Sequence, residues 1–224
     1  MREETLIVIK RATHLIFCAV YCVLALIACL ADFGAFGEGF TTRPFVFYTS
    51  ISNMLCSAFM FISLIRNLVR KEVGVYSLPK FLFVVMILLT AIVFNLLLNY
   101  FNSVIAYFAA YKNALYHLIL PLLFVLDWVI FYERGRVKPL YPVLALAIPL
   151  GYVVYIMLRA WIVTATGMTT QVLYPYFFLN IDRLGWPGFL LWMSILLVML
   201  LLLGYGLYAM DRLLFRKRKT SPIT

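Results

Sequence analysis

Thr49 and His117 are the two side chains of this 224-residue chain whose types could combine into a reaction. A threonine hydroxyl is a weak nucleophile that becomes competent when an adjacent base takes its proton. A neutral imidazole is such a base. Together they could transfer an acyl group, provided donors stand where the oxyanion develops. Asn53, Asn99 and Arg159 are the candidates for that task, and Arg159 could instead hold a substrate carboxylate or phosphate. Each residue also has a plainer reading. A lone Thr in a membrane helix commonly bonds back to a preceding carbonyl, and Asn95 and Asn99 can serve as polar glue between helices. Cys18, Cys22, Cys29 and Cys56 form no CxxC pair and no Cys/His ligand spacing. Neither a disulfide framework nor a metal site is indicated, and no cofactor is expected.

The elements that must position these groups follow from composition. Hydrophobic residues make up 65% of the chain and charged residues 12%, about half the charged share of a soluble domain. The bilayer is therefore the expected solvent. Apolar runs of about 20 residues, the length needed to cross, occur at Ala12–Asp32, Phe45–Leu64, Phe81–Phe101, Asn113–Tyr132, Pro139–Trp161 and Gly188–Met210. They are too long and too uniformly apolar for barrel strands. The expectation is an all-α, polytopic bundle of six transmembrane helices in one membrane domain.

The net charge of +10 fits topology better than nucleic acid, because Lys and Arg collect in cytoplasmic segments. Of the 19 basic residues, only Arg43, Lys112, Arg159 and Arg183 fall on one side of the spans. The other side takes the N-terminus, the Arg66–Lys80 and Arg134–Lys138 loops and the Arg212–Lys219 tail. Both termini are thus expected in the cytoplasm, with the cell (plasma) membrane as the location. A second reading of the start is a lipoprotein signal ending Leu26-Ile27-Ala28-Cys29, with Cys29 lipidated after cleavage. Against it, the apolar stretch is longer than a signal core and continues past Cys29.

Depth then relates the polar groups. Thr49 and His117 each lie four residues inside an inward-running span, roughly 6 Å below the outer boundary. Ser52 and Asn53 share a helix face with Thr49. Asn95, Asn99 and Arg159 fall toward the same level, while His14 lies near the opposite surface. Pro121 cannot donate to the carbonyl of His117, so a kink is expected there. Asp127, about 15 Å further along, is expected to pair with cytoplasmic-side partners. The aromatic segment Tyr174-Pro175-Tyr176-Phe177-Phe178 reads equally as an interfacial belt or as a lid.

Three segments carry a resemblance: Phe47-Tyr48-Thr49-Ser50-Ile51-Ser52-Asn53, His117-Leu118-Ile119-Leu120-Pro121 with Asp127-Trp128, and Leu173-Tyr174-Pro175-Tyr176-Phe177. In this order and topology the chain resembles the androgen-induced-gene and androgen-dependent TFPI-regulating protein family, especially its bacterial relatives. The resemblance implies a membrane threonine hydrolase that cleaves fatty acid esters of hydroxy fatty acids, with Thr49 as nucleophile and His117 as base. In the animal members the proline stands one residue further from the histidine, a difference that a bulge or shifted register could absorb. The implied partners are membrane lipids and a lipid ester, without nucleic acid. Two rival classes stay open: a small transporter or channel using the same cluster, and a membrane scaffold without chemistry.

Overall fold

The computed structural model describes residues 2–37, 39–74, 77–99, 103–169 and 172–220, with side chains for those within 4–215. Residues 100 and 101 of the third expected span, parts of both outer loops, and the side chains of Arg2 and of Arg216–Lys219 lie outside the described residues. The described residues contain no strand. Six helices are long and apolar enough to cross a membrane: Glu4–Asp32, Tyr48–Arg70, Ser77–Leu98, Tyr111–Phe131, Tyr141–Thr166 and Ile181–Phe215. The chain is an all-α, multi-pass membrane protein. Its helices group into two compact units, Met1–Val137 and Lys138–Thr224.

In the first unit, α1 (Arg2–Asp32) packs on α2 (Tyr48–Arg70), and α2 on α3 (Ser77–Val93). The α3 helix ends in a π turn, Phe94–Leu98, and is followed by α4 (Val104–Ala109). The short α5 (Tyr111–Ala114) runs through a second π turn, Leu115–Ile119, into α6 (Leu120–Phe131). Contacts of α6 with both α3 and α1 close the ring of helices. Periodicity explains the faces. On α1, His14, Cys18, Tyr21, Ala25, Ala28 and Ala31 are buried, while Ile16, Val20, Val23, Leu26 and Leu30 are exposed. The buried series repeats every three or four residues, and its alanines let neighbouring backbones approach. At Gly74 (φ 71°) a Cβ would stand 2.6 Å from the Phe131 carbonyl oxygen, so only glycine fits where the α2–α3 connection passes α6.

Two expected loop cations are buried instead of lying at an aqueous surface. Lys80 lies in the first turns of α3 and is fully buried; Arg134 is buried after α6 and donates to the Trp128 (2.6 Å) and Val129 carbonyls. The reason for Lys80 is Asp127 on α6, whose Oδ2 lies 2.8 Å from the ammonium. His14 Nε2 lies 3.3 Å from Oδ1 of the same carboxylate. His14, Lys80 and Asp127 are all 1% exposed or less. Lys80 Nζ also sits 3.3 Å above the Phe124 ring centroid, an added cation–π contact. Asp127 therefore finds its partners where the depth reading expected them.

In the second unit, α7 (Tyr141–Leu144) leads into α8 (Ala147–Thr166), and α9 (Ile181–Thr220) packs on α7. Gly204 marks that packing, since a Cβ there would stand 3.0 Å from Pro142 Cβ. Helical structure extends past the expected ends, through Thr166 and again from Ile181, so the intervening loop is shorter than Ile162–Pro187. Gly185 (φ 65°, ψ 172°) interrupts α9 just before Pro187.

Breaking one member of a buried ion pair is costly because the other charge stays behind uncompensated. Asp127→Leu should destabilise the protein by about 3–5 kcal/mol, read as a lowered melting temperature in detergent. Lys80→Met combined with Asp127→Leu should recover most of that loss. A double variant as unstable as the single one would show that the pair is not what the helices depend on.

Candidate functional site

Two asparagines on neighbouring helices hold the segment that carries His117. Asn53 Nδ2 donates to Thr49 O (2.9 Å) and across to Tyr116 O (3.2 Å). Asn95 Nδ2 donates to Ala91 O (2.8 Å) and across to His117 O (3.1 Å). Consecutive carbonyls of one π turn are thus bonded from α2 and from the π turn that ends α3. The sequence dictates this locally. Pro121 has no N–H to offer the His117 carbonyl, and the chain widens into a π turn at Leu115–Ile119, closed by Leu120 N–H on Leu115 O. In place of a simple kink there is a bulge that adds one residue to the turn. Bulges of this kind recur at functional sites.

The His117 ring is buried and stacks on Phe94, with centroids 3.4 Å apart at an interplanar angle of 14°. Its Nδ1 lies 3.1 Å from Asn113 O. A carbonyl can only accept, so Nδ1 carries the proton and the neutral ring keeps its lone pair on Nε2. The orienting group is therefore a backbone oxygen one turn away, which no list of side chains would reveal.

Thr49 is the second residue of α2, because the helix starts at Tyr48 and not at the expected Phe45. Arg43–Phe45 is instead a separate 3-10 turn. Thr49 therefore stands at the positive end of the helix dipole. Its carbonyl accepts from both Ser52 Oγ (2.9 Å) and Asn53, and Ser52 Oγ meets Thr90 Oγ1 on α3 at 2.8 Å. The Asn53 amide thus joins the turn bearing Thr49 to the turn bearing His117. Asn99 ends the third helix in extended conformation (φ −72°, ψ 118°). Arg159 belongs to the second unit, where NH1 donates to Val172 O (3.0 Å) and Leu173 O (3.2 Å). The aromatic loop is thereby anchored to α8, and Phe177 packs edge-on against Trp192 at 5.1 Å.

Sequence reasoning missed a carboxylate here. Asp32 at the end of α1 accepts from Ser50 Oγ at 2.6 Å and from the Tyr116 hydroxyl, with Lys112 and Arg43 acting on it electrostatically. Its place at the very end of the first apolar span was the available signal.

At the opposite end of the same helices, His14, Cys18 and Asp127 bring potential ligand atoms within 4.8 Å of one another. The hydrogen bonds favour another use. Arg11 Nε donates to Asn67 Oδ1 (3.2 Å), which turns Asn67 Nδ2 toward Arg11 O (3.1 Å) and His14 Nδ1 (3.0 Å). Nδ1 is thereby the acceptor, and Nε2 holds the hydrogen that faces Asp127 and Cys18. With Lys80 already supplying the cation, the cluster is a hydrogen-bonded ion pair. Comparison with known proteins finds no matching family model, no similar curated protein and no similar solved structure.

Asn95→Leu should leave the His117 carbonyl without its cross-helix donor and cost about 1–3 kcal/mol. Pro121→Ala in that background restores an N–H and should recover part of the loss. Thermal unfolding of the four variants of the cycle measures both, and additive effects would rule out the compensation.

Proposed function

We propose that the protein is an intramembrane lipid ester hydrolase with Thr49 as nucleophile and His117 as base. What supports this reading most is the Asn53 amide, which spans from the Thr49 carbonyl to the Tyr116 carbonyl and holds the two turns together. The proton on His117 Nδ1 and the resulting lone pair on Nε2 support it further. In the reaction, Thr49 Oγ attacks the ester carbonyl carbon while its proton passes to His117 Nε2, directly or through one water. Collapse of the tetrahedral oxyanion breaks the ester C–O bond, and the imidazolium returns the proton to the departing alcohol. Water, deprotonated by the same imidazole, then attacks the acyl-threonine carbonyl; the C–O bond to Thr49 Oγ breaks, the imidazolium returns its proton to Oγ, and the acid is released.

The oxyanion is favoured by the dipole of α2, at whose positive end Thr49 stands. Asn53 is a poor donor for it, since both amide hydrogens already serve backbone carbonyls. Asn99 remains the side-chain candidate within the first unit. The family resemblance points to fatty acid esters of hydroxy fatty acids as substrates. Leaving the buried Lys80 and Arg134 out of the count keeps the charge bias intact. That bias supports cytoplasmic termini and a site near the outer leaflet of the plasma membrane.

The purified protein should label with a fluorophosphonate probe, and Thr49→Ala should abolish labelling. His117→Ala should lose turnover of a lipid ester while still folding, with a melting temperature lowered by the cavity left beside Phe94. Undiminished labelling of the Thr49 variant would end the assignment.

A further inference from the structure

Asp32 is the last residue of α1, and the chain beyond it turns back on itself. Phe33 N–H still bonds Cys29 O (3.0 Å), and the Phe33 ring packs edge-on against Phe45 at 5.4 Å. Thr41 N–H returns to Phe33 O (3.1 Å). The carboxylate thus projects from a fixed point.

It takes two hydroxyl hydrogens from two other elements. Ser50 Oγ, in the first turn of α2, donates to Oδ2 at 2.6 Å, the short length of a charge-assisted bond. The Tyr116 hydroxyl, from the π turn, donates to the same carboxylate. Ser50 follows Thr49 in the chain, and Tyr116 precedes His117. Tyr116 is therefore held at both ends, its carbonyl by Asn53 and its hydroxyl by Asp32. A single tie through the Asn53 amide would leave the two turns free to pivot about it. A second tie at a separate point removes that freedom.

We propose that Asp32 is a positioning residue for the reaction of Thr49 and His117, its carboxylate fixing the two turns relative to one another through the hydroxyls of Ser50 and Tyr116. The role rests on the hydrolase reading and adds to it the group that sets the attack geometry. Displacing reacting groups by about 1 Å costs about a hundredfold in rate. Loss of the link should therefore lower kcat and leave KM unchanged. The two bonds run in series, from Ser50 through Asp32 to Tyr116, so breaking either one disconnects the turns.

Steady-state hydrolysis of 4-methylumbelliferyl palmitate in detergent, below the melting temperature of every variant, tests this. Ser50→Ala and Tyr116→Phe should each lower kcat by about tenfold to a hundredfold at unchanged KM. The double variant should lose no more than either alone. Asp32→Leu should match them, and Asp32→Asn, which keeps an acceptor oxygen, should recover part of the rate. Losses that multiply in the double variant, wild-type kcat in Asp32→Leu, or a change confined to KM would each overturn the positioning role while Thr49→Ala stays inactive. Where Asp32→Leu does not fold, the Ser50 and Tyr116 variants decide alone. A Thr49→Ala protein as active as the wild type would instead end the hydrolase reading, and this role with it.

Discussion

The Lys80–Asp127 pair constrains the first unit more than any other contact. A lone ammonium or carboxylate taken into a bilayer-spanning helix is expensive, and each here is fully buried. The cost is offset only when α3 and α6 stand side by side in one register. His14 then fixes α1 to the same carboxylate, and Asn67 fixes α2 to His14. Four helices are thereby tied at one point by groups that tolerate little displacement. Apolar packing alone would be less selective, because lipid tails are as apolar as the leucines they meet.

The other end of these helices is organised differently. There the ties are neutral amides on backbone carbonyls, Asn53 on Tyr116 and Asn95 on His117, with Asp32 collecting Ser50 and Tyr116. Thr49 and Asn67 are 18 positions apart on α2, about 27 Å along the axis. One end is thus pinned by charge, while the other holds a widened turn through bonds that cost less to rearrange. The proposed hydrolase, which would admit a substrate and release products, is better served by the second kind of tie.

Topology was legible in the sequence because span length and hydropathy are local properties. All six spans are present, and only their ends moved. The depth comparison that paired Thr49 with His117 uses the same local property, since rise per residue converts position into height. What stayed hidden depends on partners distant in sequence. Lys80 looked like a loop cation because Lys at the edge of an apolar run normally is one, and nothing local announces that Asp127 will face it. Pro121 signalled a disturbed helix, but the π turn that resolves it has its His117 carbonyl bonded by Asn95, from the turn that ends α3. The orienting partner of His117 is a main-chain oxygen, present at every residue and so carrying no compositional signal.

The charge pair also bears on how the protein is made. Helices leave the ribosome in order, so α3 carries Lys80 to the membrane before Asp127 exists as a counter-charge. Until α6 arrives, the long lysine stem can let its ammonium reach back to the aqueous surface, and α3 lacks the ion pair that fixes its register. Arrival of α6 withdraws Lys80 from the surface and closes the unit. The first unit is thus completed only at its fourth span, and a chain truncated before Asp127 would leave Lys80 on α3 without its counter-charge.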